Sequence, residues 1–260
     1  MPRWSYSRVT CFGHCKYEYY LNYIIHDNDL YLSESNYFAE IGSYVHQILA
    51  MVLNGELKKE DAYTYYKAHY NENIFYMTKD STMRKTNTVV SEYLSSLNFD
   101  WLINYEIIGV ELEVDFMLGD YHFIGFIDLL LRDKRDNKIV VLDHKSSEYP
   151  FKQNGELKKK SEQSFSLYKK QMYLYCHAVK QLYGEFPKTI VWNHFKDGGK
   201  LAEIPFVEKE YNETIDWFSN TVSEINQEEA FDPNTDFFYC ANLCNFRNSC
   251  EYQAIAKGQN

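Results

Sequence analysis

Long apolar runs are absent from this chain of 260 residues. No stretch approaches the roughly 20 consecutive apolar residues that span a bilayer, and the first ten residues, MPRWSYSRVT, contain no apolar segment of signal-peptide length. We therefore expect a cytoplasmic protein that does not associate with membranes. In that reducing compartment, clustered cysteines are more often metal ligands or redox groups than disulfides.

Positive charge is also scarce, because 37 Asp and Glu residues outnumber 27 Lys and Arg residues and give a formal net charge of −10. Such a chain cannot coat nucleic acid by bulk positive potential, so any contact with DNA must be local. A P-loop is missing, which excludes ATP-driven unwinding by this chain itself. No linker rich in Pro, Gly or Ser and no repeat of fixed period marks a domain boundary. We predict one domain over residues 1–260.

What the sequence does contain is a succession of helical and strand-like patterns. Apolar residues at helical spacing predict a helix over 36–56, and the polar, mostly helical segment 57–104 is interpreted as an insertion. Three runs rich in Ile, Val and Phe within 105–145 predict a three-stranded meander. The other expected elements are a short helix in 15–25, a helix ending at Gly184, a strand in KTIVWNHF and a helix over 208–228. This order predicts an α/β fold with a small central mixed sheet flanked by helices.

The last two strands of the meander carry the clearest chemical pattern. A turn at the middle of RDKRDN makes positions whose numbers sum to 271 face each other, which places Asp128 opposite Asp143. Two carboxylates opposed within apolar strands repel each other and are desolvated unless a cation lies between them. Strand alternation puts Lys145 on the face of Asp143 and turns the side chain of His144 to the other face. The alternative is that Asp143 and Lys145 are solvated residues at a fraying strand end.

The stretch GFID followed by VVLDHK resembles the metal-binding core of the PD-(D/E)xK nuclease superfamily. The RecB-like branch of that family has a GxxxH helix before this core and a QxxxY helix after it. Here Gly42 to His46 and Gln171 to Tyr175 match those motifs in the same order. Taken alone, His46 is more typical of a core histidine, and two polar residues one helical turn apart mean little. The resemblance implies a restriction-endonuclease-like core over 105–195.

The resemblance also implies a reaction, the hydrolysis of DNA phosphodiester bonds assisted by Mg²⁺ or Mn²⁺. The implied metal ligands are His46, Asp128, Asp143 and the backbone carbonyl of His144. Lys145 is expected to position or deprotonate the attacking water and to stabilise charge on the phosphoryl group. Gln171 and Tyr175 are expected to orient the substrate strand. Oxygen ligands suit Mg²⁺, and an imidazole ligand makes Mn²⁺ at least as suitable.

A local basic cluster lies before and inside the QxxxY helix, and it can follow the phosphate backbone of single-stranded DNA or of duplex ends. Its members are Lys158, Lys159, Lys160, Lys169 and Lys170. For any one of these lysines, a solvated loop or helix face is an equal alternative. A helicase or recombinase partner would act in trans. The sequence leaves the oligomeric state open.

Three cysteines, Cys240, Cys244 and Cys250, lie within eleven positions near the C-terminus, one short of a four-thiolate site. RecB-like nucleases with an iron–sulfur cluster have one further cysteine in an N-terminal aromatic-rich segment, and Cys15 matches that position better than Cys11. The resemblance therefore implies a 4Fe–4S cluster, with an all-cysteine zinc site as the alternative. Joining Cys15 to the tail would close a loop of about 225 residues, which indicates a structural clasp.

The function expected from these patterns is a metal-dependent exonuclease of phage or prokaryotic DNA recombination, repair or degradation. Three alternatives remain open. One is a CRISPR-adaptation nuclease, which has the same motifs. Another is a catalytically silent DNA-binding or recombination-complex subunit, which the intact set of Asp128, Asp143 and Lys145 disfavours. The third is a zinc-stabilised interaction protein. In that protein the hairpin that carries Asp128 and Asp143, called the acidic hairpin below, would be a solvent-exposed surface without a catalytic role.

Overall fold

The protein, seen here as a computed structural model, is described over residues 2–25 and 33–253. In these residues six strands form one mixed sheet. They are β1 (Arg3–Trp4), β2 (Tyr105–Leu118), β3 (Tyr121–Asp133), β4 (Ile139–Lys145), β5 (Thr189–His194) and β6 (Lys200–Pro205). β3 is antiparallel to β2, and on its other edge it pairs with β1 near its start and with β4 near its end. β4 is parallel to β5, and β5 is antiparallel to β6.

Helices cover both faces of this sheet. They are α1 (Tyr6–His14), α2 (Lys16–Tyr23), α3 (Tyr37–Leu53), α4 (Ala62–Ala68), α5 (Tyr70–Asn73), α6 (Asp80–Ser95), α7 (Glu162–Tyr183), α8 (Glu208–Gln227) and α9 (Phe237–Asn242). The predicted α/β fold with a mixed sheet flanked by helices is confirmed. Within the described ranges, no helix combines the length and the apolar character that crossing a bilayer requires.

The sheet is buried from two sides because its strands alternate between two cores. On one face, Leu130 and Val141 pack with residues of α7 and α8 such as Met172 and Phe218. On the other face, Leu129 and Leu142 belong to a second apolar cluster. The 57–104 segment builds a further core with α3, so it is a packed part of the molecule.

Local sequence explains where the two helices that flank the acidic hairpin begin and end. The Asn36 side chain accepts a hydrogen bond from the backbone N–H of Ala39 and caps the start of α3. The buried residues of α3, among them Ile41 and Val45, recur at helical spacing. At the end of α7, Gly184 has a φ of 76°, the left-handed conformation that favours glycine after a helix.

Four elements differ from the sequence prediction, and one of them is α9 in the cysteine-rich tail. β1 and β6 were not predicted, because a two-residue strand has no periodicity and β6 has one fully buried residue, Ala202. The predicted helix in 15–25 corresponds to α2, but the chain also forms α1 immediately before it. Cys15 separates the two helices in an extended conformation with φ −155° and ψ 113°. The break places the Cys15 thiol at the start of α2, where it accepts a hydrogen bond from the backbone N–H of Glu18.

Candidate functional site

The acidic hairpin has the predicted register. Leu129 pairs with Leu142, and each further pair up to Arg132 and Ile139 also sums to 271. Beyond the end of this ladder, the Asp128 carboxylate accepts a hydrogen bond from the backbone N–H of His144 at 2.7 Å. The side chain of Asp128 thereby takes the place of a backbone partner. Asp128 and Asp143 consequently lie side by side where the two strands separate.

Lys145 connects this carboxylate pair to α7. Its Nζ lies 2.7 Å from Oδ2 of Asp143 and donates a hydrogen bond to Oε1 of Gln171 at 2.7 Å. The Gln171 amide in turn donates to the Tyr175 hydroxyl at 3.2 Å. Burial acts to lower the pKa of Lys145, but the charges of Asp143 and Asp128 and the hydrogen bond to Asp143 outweigh it and raise that pKa. The side chain is therefore held as an ammonium beside the carboxylates.

α3 and β2 contribute further side chains to the site. His46 Nδ1 lies 3.3 Å from Oδ2 of Asp128, and the ring also hydrogen-bonds the backbone of His144. Glu111, which the sequence analysis did not select, brings a further carboxylate from β2. One ligand atom from each of His46, Glu111 and Asp128 lies within 4.8 Å of the other two. These three residues come from three separate elements.

Glu111 adopts an uncommon backbone conformation with a φ of 46°. A left-handed φ is costly for a residue with a side chain and tends to persist where the fold needs it. The pairing of β2 with β3 also shifts between Ile107 and Gly109, just before Glu111. The alternating sequence of β2 contains no signal for this irregularity. Glu111 could therefore be identified only from the structure, where its carboxylate lies close to His46 and Asp128.

The electrostatics of the site match a bound cation. Burial and the neighbouring Asp143 raise the pKa of Asp128 well above its usual range, and the same two causes raise the pKa of Glu111. Burial also lowers the pKa of His46. Asp143 Oδ2 is buried and accepts no hydrogen bond from the described residues beyond its ion pair. Divalent ions take oxygen ligands at about 2.0–2.6 Å, so donor atoms within 4.8 Å of one another can share one ion.

The His144 side chain points to the opposite face, as strand alternation predicts. Its Nδ1 lies 2.9 Å from the side-chain amide nitrogen of Asn193 on β5. The same amide donates to the Tyr93 hydroxyl of α6 at 3.0 Å. This buried network connects the 57–104 segment to the strand that carries Asp143. The segment therefore packs against the face of β4 opposite to Asp143.

The five predicted DNA-binding lysines contact different groups. Lys160 is paired with Glu148, and Lys158 donates to the backbone carbonyl of Tyr149. Lys169 is paired with Glu210 of α8, and Lys170 lies over the ring of Trp217, 4.1 Å from its centroid. Lys159 belongs to a short 3-10 turn before α7. A common DNA-binding surface formed by these five lysines stays a prediction.

The four predicted cluster ligands meet at one small cavity. Cys15, Cys240, Cys244 and Cys250 all line it, whereas Cys11 does not. Backbone N–H groups of Glu18 and Asn234 donate to the Cys15 sulfur at 3.4 and 3.3 Å, and the N–H of Phe246 donates to the Cys244 sulfur at 3.4 Å. Such N–H···S bonds are typical around metal-bound thiolates. Within the described residues, however, only His46, Glu111 and Asp128 bring three ligand atoms within 4.8 Å of one another, so the four sulfurs are not drawn together as closely as that set.

Glu18 strengthens this junction between the two ends of the chain. Glu18 is 4 % exposed, and its carboxylate accepts hydrogen bonds from the Tyr239 hydroxyl and, at 2.8 Å, from the backbone N–H of Asn245. Burial, followed by the charge of Glu18, raises the pKa of the Cys244 thiol. A positive centre among the sulfurs would compensate both effects.

Comparison with known proteins gives the family. A family model described as the PD-(D/E)XK nuclease superfamily matches residues 3–251. No curated protein matches the sequence significantly. Among solved structures, a protein from Eubacterium rectale named "Putative exonuclease" aligns with a TM-score of 0.50 and 14% identity, over 88% of this chain and 83% of that chain. At this identity the likeness supports the fold alone.

Proposed function

The chain belongs to the PD-(D/E)XK nuclease superfamily, and we propose that it is a deoxyribonuclease that uses Mg²⁺ or Mn²⁺ to hydrolyse phosphodiester bonds. One observation carries this proposal. Ligand atoms of His46, Glu111 and Asp128 converge within 4.8 Å, next to the ion pair of Asp143 and Lys145. Superfamily membership supports nuclease activity, and the convergence of these ligand atoms supports the use of a divalent metal ion.

The metal would be held by His46, Asp128, Asp143 and the backbone carbonyl of His144, with Glu111 as an additional carboxylate. When bound, the ion lowers the pKa of a water molecule and neutralises charge on the phosphoryl oxygens. Lys145 contributes its ammonium to the same charge, because Asp143 and Gln171 hold it in place. The hydrogen bond to Gln171 fixes the Tyr175 hydroxyl beside the site. Both residues can then orient the phosphodiester.

The cysteine junction is proposed to hold a 4Fe–4S cluster, with zinc as the alternative. Its support is the common cavity of Cys15, Cys240, Cys244 and Cys250 and the N–H donors around their sulfurs. The role proposed for it is structural, because it would connect α2 to the tail that follows α8. The catalytic carboxylates belong to other elements.

We further propose that the enzyme acts on DNA ends, in phage or prokaryotic recombination, repair or degradation. This follows the tendency of the RecB-like branch, and the name of the Eubacterium rectale protein agrees with it. A helicase or recombinase partner would bind in trans.

A digestion assay tests this activity. End-labelled linear DNA should be degraded to short products in Mn²⁺ or Mg²⁺, and covalently closed circular DNA should remain intact. EDTA should stop the reaction, because the carboxylates cannot bind phosphate without a cation. Equal cleavage of circles and linear molecules would show an endonuclease. Failure to cleave either substrate in either metal would overturn the proposed activity.

Gly125, in the GFID stretch, gives a further prediction about Tyr175. A Cβ atom at this position would lie 2.9 Å from the Cε1 atom of Tyr175, a distance that forces the ring to move. We expect Gly125→Ala to lower the steady-state rate of DNA hydrolysis at least about tenfold, since small displacements of positioning groups are costly. Gly13→Ala is the matched control, because no atom lies within 4 Å of its added Cβ. Equal rates for both variants would show that the Tyr175 ring position does not matter.

A further inference from the structure

A second pocket adjoins the cleft of the metal site. The cleft has a volume of about 760 Å³ and is lined by His46, Glu111 and Lys145. The second pocket, of about 400 Å³, lies between α6 and the turn Phe195–Asp197. Ser146 lines both spaces. A bound strand could therefore pass from one to the other across the residue that follows Lys145.

Two lysines from different elements face the second pocket. Lys85 comes from α6 and Lys196 from the Phe195–Asp197 turn. Neither is among the ion pairs closer than 4.0 Å in the described residues. Burial lowers the pKa of Lys196, and the charge of Glu148 acts against that shift. The ammonium is therefore partly desolvated, and an anion bound in the pocket would give it a closer partner than Glu148 does.

The pocket also contains two carboxylates, but both are engaged elsewhere. Glu148 is paired with Lys160, and the Asp197 carboxylate accepts a hydrogen bond from the backbone N–H of Tyr149. Their negative charge is partly compensated by these contacts. The two lysines remain as the groups available to a ligand, in a protein whose net charge is −10.

An aromatic ring lies between the two spaces. Phe38 of α3 lines the metal-site cleft and is 37 % exposed. The Lys196 Nζ lies 5.4 Å from the centroid of the same ring. Lysines beside an exposed aromatic ring are a usual arrangement for binding a single nucleic-acid strand, because unpaired bases can stack on the ring.

We propose that a single DNA strand leaves the metal site over Phe38 and Ser146, and that its phosphates bind Lys85 and Lys196. The inference rests on the proposed nuclease function and names its substrate class. A stacked ring requires an unpaired base, which a duplex end lacks until its strands separate. The insertion then serves a second purpose, because α6 provides one wall of the strand path.

Binding measurements test the path without cleavage. The probe is a short fluorescein-labelled oligothymidylate, titrated in Ca²⁺ over a series of salt concentrations. Lys85→Ala combined with Lys196→Ala should reduce the slope of log K against log salt by about 1.4, because each phosphate contact on a single strand contributes about 0.7. Phe38→Ala should weaken binding at least about fivefold and leave the slope unchanged.

The control is Lys138→Ala combined with Lys209→Ala, which removes the same charge from two exposed, ion-paired positions. If the thermal unfolding midpoint of the Lys85→Ala and Lys196→Ala double variant falls, the Lys85→Gln and Lys196→Gln double variant is measured in its place. The proposed strand path is overturned if the double variant of Lys85 and Lys196 has the same salt slope as the control. It is also overturned if the salt slope falls only when the probe is duplex DNA. A reduced slope in a protein that never cleaves DNA rejects the proposed nuclease function and retains the path. Cleavage with an unchanged slope rejects only the path.

Discussion

Replacement of Lys145 by alanine should lower the rate of DNA hydrolysis about 10³-fold or more and leave the protein folded. The ammonium lies 2.7 Å from Asp143, and its side chain is 15 % exposed, so water cannot readily replace its charge. Loss of a positioned proton donor or of a preorganised electrostatic group typically costs 10²- to 10⁴-fold. The measurement is the single-turnover rate on end-labelled linear DNA in Mn²⁺. Lys138→Ala, at the opposite end of the same hairpin, is the control and should keep the wild-type rate.

Metal binding separates the role of Lys145 from that of the carboxylates. Lys145→Ala should still bind Mn²⁺, because it removes no ligand. Asp128→Ala and Asp143→Ala should weaken Mn²⁺ binding at least about tenfold, as read by electron paramagnetic resonance of the free ion. Glu111→Gln should weaken it as well. Wild-type Mn²⁺ affinity in Glu111→Gln would remove Glu111 from the ligand set, and full nuclease activity in both Lys145→Ala and Asp143→Ala would refute the site.

Replacement of Cys15 by serine should remove the bound metal of the cysteine junction and destabilise the fold by about 5 kcal/mol. A crosslink between Cys15 and Cys240 closes a loop of about 225 residues, and the chain-entropy model assigns a loop of that length about 5 kcal/mol. The measurements are the visible absorbance and metal content of the anaerobically purified protein, together with its free energy of unfolding in urea. Cys11→Ser is the matched control, since its sulfur lies outside the common cavity.

The absorbance and metal content of the wild-type protein also identify the metal of the cysteine junction. A brown wild-type protein with broad visible absorbance indicates iron–sulfur, and a colourless protein with stoichiometric zinc indicates the alternative. Loss of metal in Cys11→Ser but not in Cys15→Ser would reassign the N-terminal ligand. A wild-type protein with neither metal would contradict the metal clasp.

Much of the fold followed from short-range patterns. The register of β3 and β4 could be predicted because strand side chains alternate with a period of two and the turn sequence set the centre of the hairpin. The end of α7 could be predicted because Gly184 can adopt a left-handed φ. Short elements without periodicity, such as β1, could not be found in this way.

The site was only partly visible for the same reason. The Asp128, Asp143 and Lys145 set is local to one hairpin, so strand geometry was enough to predict its proximity. Glu111 became visible only through a bulged strand and a φ of 46°. The predicted basic cluster is adjacent in sequence, yet its lysines contact different partners. By contrast, Lys85 and Lys196, far apart in sequence, face one pocket.

The sequence by itself therefore determined the α/β class, the hairpin register and the residue types of the two proposed metal sites, because each depends on spacing along neighbouring residues. The tertiary structure decided that Glu111 joins His46 and Asp128 and that Cys15, not Cys11, shares the cavity with the C-terminal cysteines. It also decided that Lys85 and Lys196 border the second pocket. These outcomes depend on how distant segments pack around a common core, and packing depends on the whole chain rather than on any local repeat.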